Sequence, residues 1–343
     1  MRKTENLFPK LLGDFLSIYL PSQRNYSKNT ISSYCNSFKL LLKYLKDEQN
    51  LNPDQITFKV INTECILDFL SWLETSRNCS RSTVNQRLAA IHSFFKYVQA
   101  NRPELISQSH SILEIPLRKT SSPMIEYLTQ DDLKLILSQP NATKKSERRD
   151  LVLLCLLYDT GCRVQELVDL TVSSIRLESP AQIKLHGKGD KTRIVPLMSN
   201  TAKLLRDYMS EYKLGESHTL QYPLFCNQRK EPLTRAGVTY ILKKYADMAR
   251  SKSSSVPPNV TPHVMRHSKA MHMLEAGINI VYIRDILGHV NISTTEVYAK
   301  ANLEMKRKAL EKVSLIPEHD TTPTWTGDSN LLTWLEDFGK SLS

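Results

Sequence analysis

Between residues 28 and 46 the apolar positions Ile31, Tyr34, Phe38, Leu41, Leu42 and Leu45 recur every three or four residues. That period places them on one face of an α-helix, and Ser27 just before them predicts its N-cap. A second helix follows Ser80 or Ser82. It turns Val84, Leu88, Ile91, Phe95 and Val98 inward and carries Arg81, Asn85, Gln86, Arg87 and Lys96 on its polar side. Leu67, Leu70 and Trp72 predict another helix between these two. Four or five short helices without strands fit a small helical bundle.

The pattern breaks from Arg102 to about Ile125, where Pro103, Pro116 and Pro123 are spread among Ser, Thr and Gln. Such composition suits an inter-domain linker, or else an ordered loop lying across one domain. A second domain starts near Tyr127. Leu151–Tyr158 reads as a core helix stopped by Gly161, and a new helix carries Arg163, Glu166, Leu167 and Leu170. Two alternating runs, 182–186 and 192–196, flank the turn Gly187-Lys-Gly-Asp190 and predict a β-hairpin. Helices are expected near 200–213, 234–250, 262–275, 279–287 and 293–311. After Ile316 a polar stretch leads to Leu331, Leu332, Trp334, Leu335 and Phe338, a short amphipathic helix that must bury its apolar face somewhere. The expected fold class is mainly α with a small β-hairpin or sheet (α+β). The expected divisions are 1–102, a linker at 103–125, 126–315, and a tail at 316–343.

Composition narrows the class. Hydrophobic residues make up 41% of the 343, enough for a sizeable core, and no apolar run is long enough for a membrane span. The N-terminus lacks the apolar core of a secretory signal, so a cytoplasmic protein is expected. Formal charge is +11, although the segment after Pro317 holds Glu318, Asp320, Asp328, Glu336 and Asp337 against Lys340 alone. The rest of the chain is therefore more basic still, and a polyanion such as nucleic acid is the natural partner. Cys35, Cys65, Cys79, Cys155, Cys162 and Cys226 form no C-x-x-C pair and read as reduced, buried thiols.

Candidate chemistry begins with Thr261-Pro-His263. Thr261 caps and Pro262 opens a helix on which His263 and Arg266, three apart, project together. A guanidinium beside an imidazole can grip a phosphate and move a proton. On its own H-x-x-R is as readily a solvated helix face. Leu287-Gly-His289 ends the next helix, and Ser293-Thr-Thr-Glu296 is a capping box that puts Tyr298 in a helix's first turns. The turn at Gly187 fails the spacing of a phosphate-binding P-loop. His263, His267 and His272 lack the glutamate of H-E-x-x-H, so no metal is expected, and His267 and His272 read as structural.

Taken in order, Arg163, Lys188, His263-x-x-Arg266, His289 and Tyr298 resemble the tyrosine recombinase (phage integrase, lambda-integrase-like) family. The wording around them agrees: Thr160-Gly-Cys-Arg-Val-Gln-Glu166, His186-Gly-Lys-Gly-Asp-Lys-Thr192, Thr261-Pro-His-Val-Met-Arg-His-Ser268 and Leu287-Gly-His289. Ser27-Lys-Asn-Thr-Ile-Ser-Ser-Tyr34 looks like the start of that family's helical, SAM-like core-binding domain. His267-Ser-Lys-Ala-Met-His272 is similar to recombinases of mobile elements, alongside the Xer type.

The resemblance implies a site-specific recombinase, of integrase or transposase type, without cofactor. Tyr298 would attack a backbone phosphorus to give a 3′-phosphotyrosyl link and a free 5′-hydroxyl. His263 would serve as its acid/base partner, with Arg163 and Arg266 on the non-bridging oxygens. Lys188 would protonate the leaving 5′-oxygen, His289 would add a hydrogen bond, and Glu166 would orient the basic groups. Strand exchange would run through a Holliday junction in a homotetramer, alone or with a related recombinase, with the tail helix docked in cis or in trans. Two domains would clamp double-stranded DNA in the bacterial nucleoid, with Arg81, Arg87 and Lys96 as candidate contacts. A non-cleaving DNA-binding protein on the same scaffold and a type IB topoisomerase remain as alternatives. The intact set of six argues against the first, and the separate helical domain against the second.

Overall fold

The structure, a computed structural model, describes residues 6–120, 126–187, 191–288 and 331–341. The chain divides into two units, Met1–Pro123 and Met124–Ser343.

The first unit opens with α1 (Leu7–Asp14), which continues as a π-helical stretch over Phe15–Gln23 that contains Pro21. Then follow α2 (Lys28–Gln49), α3 (Thr63–Thr75) and α4 (Arg81–Asn101). Their starts are set by side-chain caps. Ser27 Oγ accepts from the Thr30 amide and Ser80 Oγ from the Thr83 amide, both at 3.3 Å, while Asn62 Oδ1 accepts from Cys65 at 2.8 Å. Phe94 of α4 sits among Phe8, Phe15, Phe38 and Phe95, edge to face with ring centroids 5.3–5.8 Å apart. Such offsets let the positive ring edges meet negative ring faces.

Part of the stretch expected as a linker is helical. Residues Ile106–Leu113 form α5, and Ile112 and Ile115 are buried in the same aromatic core. The Gln108 side chain donates to Ile61 O at 2.7 Å. Further on, Asn85 of α4 holds Arg118 from both sides, donating to its carbonyl at 2.9 Å and accepting from its amide at 2.8 Å. The many polar residues there conceal Ile112 and Ile115, and those fix the segment to the first unit.

In the second unit, α6 (Gln130–Leu137) starts from a Thr129/Asp132 capping box. It is followed by α7 (Lys145–Asp159) and the short α8 (Val164–Val168). A three-stranded antiparallel sheet comes next: β1 (Ile175–Arg176), β2 (Gln182–His186) and β3 (Thr192–Pro196), in that order. The β2–β3 hairpin lies where the alternation predicts it, and β1 adds a strand that its two residues are too few to announce. Then come α9 (Ser199–Glu211), α10 (Arg235–Arg250), α11 (Pro262–Glu275) and α12 (Ile280–Leu287). These agree closely with four of the expected helices, and the fifth, 293–311, lies outside the described residues. The core gathers Leu153, Leu154, Leu156 and Leu157 of α7 with Leu242 and Tyr245 of α10. Tyr245 donates its hydroxyl to buried Asp150 at 2.9 Å.

The tail helix forms as expected, as α13 (Leu331–Ser341). Trp334 stacks on Phe338 at 5.2 Å, and both rings are exposed. Among the described residues no helix is long and apolar enough to cross a membrane.

Candidate active site

Three arginines converge on the end of α12. The helix closes at Gly288 with φ +67, a left-handed conformation that spares glycine the Cβ clash other residues meet. The last carbonyls of such a helix have no partner within it and carry partial negative charge. Here each of three consecutive ones receives a different guanidinium. Arg193 Nε donates to Ile286 O at 2.8 Å, Arg266 Nη2 to Leu287 O at 2.7 Å and Arg163 Nη2 to Gly288 O at 3.4 Å.

Glu166 joins two of them. Its carboxylate accepts from the Arg163 amide at 2.8 Å and Arg163 Nη1 at 2.9 Å, and from Arg193 Nη1 and Nη2 at 3.0 and 2.7 Å. Burial by itself pushes this carboxyl up. The paired hydrogen bonds and charge of Arg193, with those from Arg163, outweigh it and hold Glu166 below the usual glutamate range. It therefore stays an anion and fixes two cations.

Arg266 is 4% exposed, and it also donates to Gly161 O through Nη1. Gly161 lies two positions past the end of α7 with φ +54, and a Cβ there would meet Leu287 at 2.6 Å. The glycines of Thr-Gly-Cys-Arg and Leu-Gly-His thus let the α7–α8 turn and the α12 end approach closely enough for Arg266 to bridge them. Arg163 is less enclosed, with its side chain 36% exposed. It is the member of the cluster best placed to meet a ligand from solvent.

His263 is exposed, one turn along α11 from Arg266 and on the same face, as the spacing predicts. His267 stacks obliquely beyond it, with ring centroids 6.3 Å apart. Its burial, together with the nearby His263 and Arg266, holds its pKa below the ordinary histidine value. His272 is spent elsewhere. Its Nε2 lies 2.9 Å from Leu128 O and its Nδ1 2.8 Å from the Tyr158 hydroxyl, so it acts as a buried tie between elements. Lys188, His289 and Tyr298 lie outside the described residues. His289 directly follows the Gly288 that Arg163 holds, and Lys188 directly follows Gly187 at the mouth of the hairpin.

Cys162, next to Arg163, is no competing nucleophile, because burial pushes its thiol up to about 11. All six cysteines are free thiols. Only Cys65 and Cys162 are buried, however, and Cys35 is exposed on α2, contrary to the uniform burial expected.

The three basic candidates of the first unit do not share one face. Arg81 and Lys96 are exposed, whereas Arg87 turns to α2 and donates to Ser33 O at 3.4 Å and Ser37 Oγ at 3.3 Å. Six positions past Arg81 is about 240° around a helix, which takes Arg87 to the packed side.

Arg193 was not anticipated, and the strand register explains its place. Leu185 and Val195 face inward, and the register pairs Leu185 with Arg193 and Ile183 with Val195. A charged residue at an inward position of a half-buried strand demands a buried partner.

Residues 126–305 match the family model described as the phage integrase family, and residues 14–101 match its N-terminal SAM-like domain. The chain is 34% identical over 336 residues to "Putative integrase/recombinase y4rC" of Sinorhizobium fredii, covering 98% of this chain and 99% of that one. It is 34% identical over 282 residues to the tyrosine recombinase XerD of Oceanobacillus iheyensis, covering 82% of this chain and 90% of the other. Among solved structures, XerH recombinase bound to palindromic difH substrate aligns with a TM-score of 0.65 at 22% identity, over 85% of this chain and 81% of that one. The Tn1549 transposon integrase with transposon right-end DNA aligns with the same TM-score of 0.65 at 17% identity, over 87% and 98%. The chain belongs to the phage integrase family and is a tyrosine-type site-specific DNA recombinase.

Proposed function

We propose that this recombinase breaks and rejoins double-stranded DNA with Tyr298 as nucleophile and with Arg163, Lys188, His263, Arg266 and His289 as its catalytic set. The observation that carries this reading is the gathering of Arg163 and Arg266, distant in sequence, onto the end of α12, with His263 one turn from Arg266. Two fixed guanidiniums supply donors for the non-bridging oxygens of a phosphate without reorganising when charge develops on it. A phenol with a pKa of about 10 is a weak nucleophile near neutrality, and His263 on that rim is the group to take its proton. Lys188, at the hairpin tip, donates a proton to the departing 5′-oxygen, and His289 adds a hydrogen bond to the phosphate. Glu166 orients Arg163. The bond energy is kept in the phosphotyrosyl ester, so the 5′-hydroxyl of a partner strand can reverse the step on a new junction and resolve a Holliday intermediate.

In this reading residues 1–102 form the core-binding domain and 126–315 the catalytic domain. Both bind the same duplex inside a homotetramer in the bacterial cytoplasm, with or without a related recombinase. Arg81 and Lys96 are the better-placed contacts of the first unit, and phosphate contacts of this kind make binding salt-dependent. The tail helix, with its exposed Trp334, Leu335 and Phe338, is the segment proposed to link subunits.

The test starts by recovering, from a randomised duplex pool, the site that the wild-type protein holds, and nicking it beside the crossover. Incubated in EDTA, wild type is expected to form an SDS-resistant, protease-sensitive adduct that Tyr298→Phe does not form and that Arg163→Ala forms only slowly. Binding without an adduct would favour a non-cleaving DNA-binding protein. An adduct with Tyr298→Phe would refute the nucleophile.

A further inference from the structure

We propose that Arg193 is a positioning residue that sets the Arg163 guanidinium and the Gly288 end of α12 in register with the β2–β3 hairpin. The inference rests on the catalytic reading given above. Its side chain is 12% exposed, and its Nε, Nη1 and Nη2 are all engaged with two separate elements of the protein. Nη1 and Nη2 grip both oxygens of Glu166 at 3.0 and 2.7 Å, and Nε takes Ile286 O at 2.8 Å. Since Glu166 also holds the Arg163 amide and guanidinium, Arg193 is one bond removed from the phosphate-binding arginine on one side. On the other side it holds the last turn before His289. A third element closes on the same point. Gly187, which opens the hairpin tip, lies so close that a Cβ on it would be 3.3 Å from Glu166 Oε1 and 3.8 Å from Arg193 Nη1. Gly288 is tighter, its Cβ falling 2.9 Å from Arg193 Nη1.

Geometry of this kind specifies arginine rather than any cation. A planar fork can meet a carboxylate with two parallel bonds while its Nε points along a third direction, whereas an ammonium is a point charge that cannot hold both oxygens and a carbonyl at fixed angles. Lys188, Arg163 and His289 come from three segments far apart in sequence. They act on one phosphate, so a buried hub that fixes the bases of all three controls their alignment.

The experiment compares single-turnover adduct formation with DNA affinity on the nicked duplex recovered by wild type. Arg193→Gln is expected to lower the cleavage rate at saturating DNA about 10–100-fold while the Kd moves less than about threefold. In an Arg163→Ala background the same substitution should cost less than about threefold, because the two act as a unit. Arg193→Lys is expected to restore the charge but not the rate, remaining well below wild type. It also serves for the comparison should Arg193→Gln fail to fold in a thermal melt. Recovery of the full rate by lysine, an equal loss in both Arg163 backgrounds, or a parallel loss of binding and rate would each overturn the positioning role. Cleavage by Tyr298→Phe would instead show that the catalytic reading had failed, and this role with it.

Discussion

The two units solve the problem of a stable interior in opposite ways. In the first, rings do the filling: Phe8, Phe15, Phe38, Phe69, Phe94 and Phe95 are all buried, and the buried polar side chains described there are Ser37 and Ser109. The second unit buries Glu166, Arg266, Asp150 and His272 beside its leucines. Apolar burial is non-directional and tolerates many sequences, while a buried charge is stable only against a partner of fixed geometry. The difference shows where selection for chemistry acts. The first unit is built to hold a shape, and the second accepts the cost of burying Glu166 and Arg266 at the place proposed to meet a phosphate.

The largest effect expected from this contrast comes from Glu166→Leu. It leaves Arg163 and Arg193 without their shared anion, and breaking a buried pair from one side costs about 3–5 kcal/mol. Urea melts should show that loss, with adduct formation falling further than the folded fraction alone explains. Glu166→Gln keeps the shape and should cost less. Phe94→Ala in the first unit should lose a similar 3–5 kcal/mol, about the usual cost of removing a core ring. Its adduct rate per folded, DNA-bound molecule should nevertheless stay near that of wild type. If Phe94→Ala slowed chemistry at saturating DNA as much as Glu166→Leu does, the division of labour between the units would be wrong.

What the sequence reveals divides along the same line. Helices α2, α4, α10 and α11 are legible because their apolar period and their Ser or Thr caps are local signals. The co-location of Arg163 and Arg266 is not local. It became readable only through resemblance, since no spacing rule brings those two residues to one helix end. Arg193 stayed hidden because Thr-Arg-Ile-Val-Pro looks like an exposed edge unless the register with Leu185 is known. Helix α5 is concealed by its polar neighbours, and Arg87 looks solvated by residue type although its angle around α4 turns it toward α2.

A smaller effect tests whether the hub depends on close approach as well as on charge. Gly288→Ala forces a side chain into φ +67, which costs about 1–2 kcal/mol, and presses its Cβ on the Arg193 fork at 2.9 Å. Stability should fall by about that amount. The adduct rate should fall more steeply than after Gly277→Ala, where φ is +78 but nothing lies within 4 Å of the added carbon. Equal effects at the two glycines would mean that backbone strain alone matters and that the Arg193 contact is incidental.

The smallest effect distinguishes buried charge from buried neutral polarity. His272 has its pKa lowered, chiefly by burial, while the Leu128 carbonyl hydrogen bond and Glu275 push the other way and Lys269 adds to the lowering. A histidine that is harder to protonate when folded leaves the unfolded chain binding more protons below about pH 6.5. The stability it contributes is therefore complete above that pH and is lost as the pH falls toward the folded value. The anion of Glu166 follows the same sign in a lower window, since its folded pKa lies below the usual carboxylate value. In His272→Gln the amide can donate to Leu128 O and accept from Tyr158 without titrating, so the melting midpoint should fall less between pH 7 and 5.5 than in wild type, by about a degree or two. The adduct rate relative to wild type should be unchanged across that range, because His272 ties α11 to Leu128 and Tyr158 and reaches none of the three arginines. A pH-dependent change in rate, rather than in stability, would place His272 within the reacting network instead of the scaffold beneath it.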